Sequence, residues 1–435
     1  MTSQKKLNIK MTKQPEEVPE EIPEELKQTK QGLMPKDWEL TEIGEKIDLL
    51  SGYAFSSSGY LKHGIRLLRG ANVKRGNVQW EESTTKYWHS AEGIEKYLLN
   101  EGDLVIAMDG SLVGRSYSLI QEKDTPCLLL QRVARIRSEE IHIPFLKEFV
   151  GSNHFINYCD AVKTVTAIPH ISAKDIRKYR IPLPPLPEQK KIAEILGTWD
   201  EAIAKTQELI AQLKKRNKGL AQQLLTGKKR LPGFSGEWEE LKFSDVAKRI
   251  TRRNEELDDT VVTISAQRGF VKQEDFFNKR VASSTLSNYY LLHKGEFAYN
   301  KSYSKGYPMG AFKRLDDFDK AVVTTLYVCF NLKSGVSSNF MTHYFENGML
   351  VRNLMQIAQE GGRAHGLLNI GISDFFDLKL ILPKFEEQKA IASVLEEADR
   401  ELKLTEQKLT TLKIQKKGLM QRLLTGEVRV KTTIN

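Results

Sequence analysis

Four stretches of the sequence carry side chains suited to gripping a phosphate or the edge of a base. Residues 62–80, KHGIRLLRGANVKRGNVQW, hold Lys62, Arg66, Arg69, Lys74 and Arg75 with no acid among them, and Asn72 in their midst. The glycine turn at 109–115 carries Ser111 and Arg115. Residues 300–314, NKSYSKGYPMGAFKR, interleave Lys301, Lys305, Lys313 and Arg314 with Tyr303 and Tyr307, again without an acid, and with Ser302 between them. Residues 360–366, EGGRAHG, place Arg363 and His365 between glycines. This is chemistry for a polyanion. Lys and Arg neutralise phosphates, Gly and Ser let backbone approach closely, Arg takes guanine through two hydrogen bonds, and Asn or Gln takes adenine. Taken singly, each stretch also fits an ordinary exposed loop.

Signatures of an enzyme are missing. There is no GxxxxGK[ST] phosphate loop, no GxGxxG opening a helix, no HExxH and no CxxC pair. An Asn/Asp-Pro-Pro-aromatic tetrapeptide, which holds the target base of adenine methyltransferases, is also absent. His63, His170 and His365 stand alone and read as loop or structural residues. Three cysteines (Cys127, Cys159, Cys329) are far apart, which fits a reducing cytoplasm better than a disulfide scaffold. No run of 18 apolar residues exists and no apolar stretch follows the N-terminal lysines, so neither a membrane span nor a secretory signal is expected. The net charge of +10 and pI near 9.2 lean towards a nucleic-acid partner.

What positions the loops is a repeat. LPEQKKIAEIL begins at Leu186, and FEEQKAIASVL begins at Phe385. An offset of 199 aligns Gln189 with Gln388, Asp200 with Asp399 and Gly227 with Gly426, ungapped over about 49 residues, of which about 21 are identical. The first copy follows prolines, with Pro187 suited to a first helical position, and both copies end at a glycine. Apolar residues step by three and four between these limits. One seam runs Leu196, Ile203, Ile210, Leu213, Leu220, Leu224, and the other Leu395, Leu402, Leu409, Leu412, Leu419, Leu423. A polar residue, Asn217 or Lys416, interrupts each copy late and can fix register. Two such seams in one chain are buried most simply by pairing, antiparallel because equal repeats then make a closed pseudo-two-fold object.

The expected organisation is a disordered Pro-Glu tail (1–34), a first block (35–182), a helical repeat (183–231), a second block (232–381) and a second helical repeat (382–430). The basic excess sits in the repeats, in runs such as LKKRNK and GKKR. Each block reads as mixed α/β, making the fold class α+β. LLNEGDLVIAMDGSLVGR (98–115) and LLHKGEFAYNKSYSKGYPMGAF (291–312) occupy similar places. LLLQRVARI (128–136) and VVTTLYVCF (322–330) each read as a buried strand.

Over about residues 35–430 the chain resembles the specificity subunit of type I restriction-modification systems. The resemblance is carried by LPPLPEQKKIAEIL and LLTG, by EEQKAIASVL and LLTG, and within the blocks by GDLVIAMDGS, GEFAYNKSYSKGYP and HGLLNIGISDFFDL. It implies two target recognition domains, each reading half of a split double-stranded DNA site. It implies spacer helices that dock two methyltransferase subunits, with a restriction and translocation subunit joining that core. Catalysis, with S-adenosylmethionine, ATP and Mg, would belong to those partners, and this chain would bind no cofactor. The alternatives are a coiled-coil scaffold joining two protein-binding domains, an enzyme with unrecognised motifs, or the specificity subunit of a related system with a fused nuclease-methyltransferase. As a spacer, a helix lengthened by four residues grows by about 6 Å, close to two base-pair steps.

Overall fold

The computed structural model describes residues 23–29, 32–277, 285–358 and 368–432. The chain forms two compact units, residues 1–205 with 410–435, and residues 206–409. The divisions fall inside two long helices, Leu186–Leu224 and Phe385–Thr425, not at the ends of the repeats.

In the first unit a four-stranded sheet has the order Asp48–Ser51, Val133–Arg137, Leu104–Ala107, Tyr117–Leu119, with all neighbours antiparallel. The central LVIA strand is buried at every position, as an unbroken apolar run requires. A second sheet sets Ile65–Leu68 between Lys86–Trp88 and Cys127–Leu129. Arg180–Leu183 pairs with Glu39–Glu42 and leads into the first long helix. Trp38, Phe145, Phe155 and Tyr179 fill the core together with Ile192, Leu196, Leu423 and Leu424 from the long helices. Glu188 meets Arg429 and Asp200 meets Lys416, so the two helical segments in this unit run antiparallel.

The second unit follows the same plan. Its sheet order is Ala247–Ile250, Val328–Leu332, Phe297–Asn300, Ala311–Arg314, and Lys379–Leu382 pairs with Glu239–Lys242 before the second long helix. Phe243, Phe297, Phe330 and Phe375 centre its core, which takes Leu224 and Leu395 from the helices. Here Arg230 meets Glu387, Arg216 meets Glu401 and Lys214 meets Glu406, again antiparallel.

The repeat is explained by matched anchors within each unit. Gln189 donates to the Pro184 carbonyl (2.9 Å) and accepts from the His142 amide (2.9 Å). Gln388 does the same with Pro383 (2.9 Å) and Ser337 (2.8 Å). Each glutamine thus ties the start of its helix to the globular part. Glu188 and Glu387 are buried, and each takes two hydrogen bonds from an arginine 199 residues apart in the sequence, Arg429 and Arg230. Asn217 donates to the Ala398 carbonyl (2.8 Å) beside Asp399. The equivalent Lys416 bonds Asp200 (2.6 Å) and Glu148 (2.9 Å). Along the seams Leu196, Ile210, Leu213, Leu224, Leu395 and Leu423 are buried, while Ile203, Leu220, Leu402, Leu409, Leu412 and Leu419 are half-buried.

Three sequence expectations change. Residues 15–22 of the Pro-Glu run lie outside the described residues, but from Leu26 the supposed disordered tail is a hairpin. Leu26–Thr29 pairs with Gly32–Pro35, and Met34 enters the core. LLLQRVARI and VVTTLYVCF are each two strands broken by a turn, at 130–132 and 324–327. Finally, Arg230 of the basic GKKR run serves Glu387 and is no free cation.

Candidate nucleic-acid interface

The loops in question hang from a common anchor. Asp103 is buried at the turn before the central strand, accepts from the Asn100 amide (2.8 Å) and is gripped by Arg137 (2.5 and 2.8 Å). Glu296 repeats this with the His293 amide (2.7 Å) and Arg252 (2.7 Å). Gly102 and Gly295, both at φ +86°, make the turn itself, a conformation glycine takes without steric cost. A buried carboxylate so bonded fixes the strand that follows, and beyond that strand the loops 108–116 and 301–310 leave the sheet.

In the first unit the loop 108–116 borders an open groove of about 460 Å³, lined by Arg69, Lys74, Asp109, Ser111, Gln131 and Arg132 with the backbone of Gly70 and Gly110. Arg69 is aimed by a hydrogen bond to the Thr84 carbonyl (3.3 Å) and lies 5.9 Å over the Tyr60 ring. Lys62 is exposed nearby in the chain.

Several expected contacts prove to hold the protein together. Asn72 is fully buried; it accepts from the Arg69 amide and donates to the Gln79 carbonyl, so it closes a turn and does not face a ligand. Arg66 donates to the carbonyls of Lys123 and Thr125 and stacks 4.5 Å over Trp80. Arg75 donates to the Gly151 carbonyl (3.0 Å). Arg115 pairs with Asp160 at 2.7 Å and, with Lys163, holds that carboxyl down at about 2.

In the second unit Tyr307 donates to Glu346 (2.7 Å), which also takes Lys313. Burial, and then that hydrogen bond to Glu346, push the Tyr307 phenol well above its ordinary value, so it stays neutral. Arg314 bonds Asp316, Ser338 and Asn339. Ser302 donates its amide to Asn300 (3.1 Å), and the Lys301 carbonyl accepts from Leu368 (2.8 Å). Tyr303, 65% exposed, and Lys305 remain turned outward. Arg363 and His365 lie outside the described residues.

Sequence reading missed Asp109, Gln131 and Arg132. The last two were hidden inside an apolar run taken for one strand; the signal was the polar pair QR between two β-branched or leucine stretches. The three cysteines are buried, and burial pushes each thiol up to about 12, which removes them as nucleophiles at neutral pH. Among the described residues no helix is long and apolar enough to cross a membrane.

A family model described as the type I restriction modification DNA specificity domain matches the chain twice, over residues 35–215 and 235–413. The type I restriction enzyme EcoAI specificity subunit of Escherichia coli is 33% identical over 195 residues, covering 44% of this chain and 33% of that protein. The type I restriction enzyme MjaVIII specificity subunit of Methanocaldococcus jannaschii is 31% identical over 216 residues, covering 48% of this chain and 50% of that protein. The matches thus span a third and a half of the lengths of these two relatives. The crystal structure of a type I restriction-modification S subunit from M. genitalium superposes with a TM-score of 0.55 over 89% of this chain and 96% of that one, at 14% identity, and so shares the fold.

Proposed function

Because the chain belongs to the family of type I restriction-modification DNA specificity domains, we propose that it is the subunit that gives such a complex its DNA address. Each globular part reads one half of a bipartite duplex target. The long helices set the unread gap and offer docking faces to two methyltransferase subunits. Adenine N6 methylation with S-adenosylmethionine, and ATP- and Mg-dependent cleavage by a restriction subunit, are carried out by the partners, and this chain contributes no catalytic group. A partner that flips its adenine out of the stack needs a reader that holds the duplex in register, which is the part assigned to this chain.

One observation carries the reading: the two units share a sheet, an acidic anchor and a helix tether, yet their loops differ. Asp103 matches Glu296 and Gln189 matches Gln388. By contrast, the loop MDGSLVGRS at 108–116 of the first unit and the loop KSYSKGYPMG at 301–310 of the second hold corresponding places in that plan and share almost no sequence. A constant frame bearing unlike loops suits two readers of unlike sequences.

Selection from a randomised duplex library by the chain with its methyltransferase subunits tests this. Two short half-sites around a fixed unread gap are expected, with affinity falling as salt rises because phosphate contacts release counterions. Recovery of one contiguous site, or of no sequence preference, contradicts the proposal.

A further inference from the structure

The turn at 130–132 has the marks of a reading head. It links Cys127–Leu129 to Val133–Arg137, so it joins the two sheets of the first unit. Its backbone is pinned from several sides. Leu130 donates to Leu68 (3.1 Å), Gln131 to Tyr53 (2.8 Å), Val133 to Leu130 (3.2 Å), and the Arg132 carbonyl accepts from Met108 (2.8 Å). Gly52 lies so close beneath that a Cβ there would stand 2.1 Å from the Leu130 oxygen. Turns this fixed can aim a side chain accurately.

Arg132 sits at the tip with φ +69°. A side chain at positive φ crowds its own backbone, and glycine avoids that cost. Among the described residues only Arg132 and Leu257 adopt such a φ without being glycine. An arginine kept where glycine would be relaxed points to use of the guanidinium. Arg132 and Gln131 are both exposed and both line the groove that holds Arg69, Lys74 and Asp109. The carboxylate matters: a groove built only to clamp phosphates would exclude Asp109, whereas base edges offer donors as well as acceptors.

The second unit supplies a comparison. Leu104 opposite Ile136 corresponds to Phe297 opposite Phe330 in the matching strands, which aligns Val133 with Tyr327. The turn bond recurs, since Tyr327 donates to Thr324 (3.2 Å) as Val133 does to Leu130. Leu326 therefore occupies the place of Arg132, with Thr325 in that of Gln131, and Leu326 is 59% exposed. One tip is cationic and hydrogen-bonding; the other is apolar and methyl-rich.

Resting on the proposed DNA-reading function, we propose that Arg132, with Gln131 beside it, determines specificity in the first unit by reading a guanine in that unit's half-site. Arginine spans guanine O6 and N7 with two donors, and loss of such a contact weakens binding about tenfold to hundredfold.

The test uses the chain with its methyltransferase subunits and the randomised duplex library, for the parent, Arg132→Ala and Arg132→Asn. Asparagine tolerates positive φ better than alanine, so it spares the turn. Both variants are expected to lose the guanine requirement at one position of one half-site, with the other half-site and the gap unchanged. If the parent selects a split site and Arg132→Asn selects the same one, the inference fails while the function stands. If Arg132→Asn weakens both half-sites alike, its role is structural and the inference also fails. A parent that selects no split site removes the function and this inference with it.

Discussion

Replacing Lys416 with methionine tests how the helical pair is held in the first unit. The Lys416 side chain is 15% exposed and bonds Asp200 and Glu148, the latter 3% exposed; Lys147 bonds the same two carboxylates. Two cations thus balance two anions. Methionine keeps most of the volume and removes one cation, leaving a buried negative excess. Breaking a buried pair from one side costs about 3–5 kcal/mol, reduced here to about 2–3 because Lys147 stays and Asp200 is partly open to water. For a unit of roughly 230 residues that lowers Tm by about 5–10 °C. Acid should erase the penalty. Burial alone would raise the Asp200 carboxyl, but Lys147 and Lys416 outweigh it and leave it below its ordinary 3.8. A depressed carboxyl stabilises the fold above its unfolded value, and that stability is lost as pH falls through the folded value. The deficit of Lys416→Met is therefore full at pH 7 and shrinks below about pH 4. Scanning calorimetry of parent and variant at both pH values reads it. A fall under about 2 °C at pH 7, or an undiminished deficit at pH 3, would show that this charge cluster does not hold the helical pair.

Three further outcomes follow from the same contacts. Gln189→Ala strands the half-buried His142 amide and the buried Pro184 carbonyl, and Gln388→Ala the buried Ser337 amide and Pro383 carbonyl, so each should lower stability by about 1–3 kcal/mol, the second more than the first, read as an earlier urea midpoint. Lys305→Ala removes an outward cation without touching the core; DNA binding should weaken uniformly across sequences, with the salt slope reduced by about one. Burial holds the His343 imidazole below its ordinary 6.5 despite nearby Asp399, so the unfolded chain binds that proton first. Stability of the second unit should decline as pH drops below about 6.5, and His343→Gln should flatten the decline in denaturation profiles.

The frame was legible in the sequence because its causes are local or periodic. Heptad spacing gives the helices, and an ungapped offset of 199 pairs Gln189 with Gln388 and Asp200 with Asp399. Even the registering residues, Asn217 and Lys416, stand out as polar breaks in an apolar seam. The site was legible only as composition. Arg66, Arg75, Arg115 and Arg314 have the same look in sequence as Lys62 or Lys305, but their partners lie far along the chain, at Lys123, Gly151, Asp160 and Asn339. Charge alone does not reveal such closures. The turn at 130–132 was hidden for another reason. Its flanks are so apolar that two strands belonging to different sheets read as one, and the reversal depends on contacts with Tyr53 and Leu68 that no local pattern announces.

This chain is proposed to give a methylating complex its DNA address. Base-resolved mapping of N6-methyladenine in the native host, with the gene intact and deleted, tests it most directly. Deletion is expected to erase one split motif, two short half-sites around a fixed gap, and to leave other methylation untouched. Survival of every methylated motif in a host where the methyltransferase subunits are expressed would contradict it.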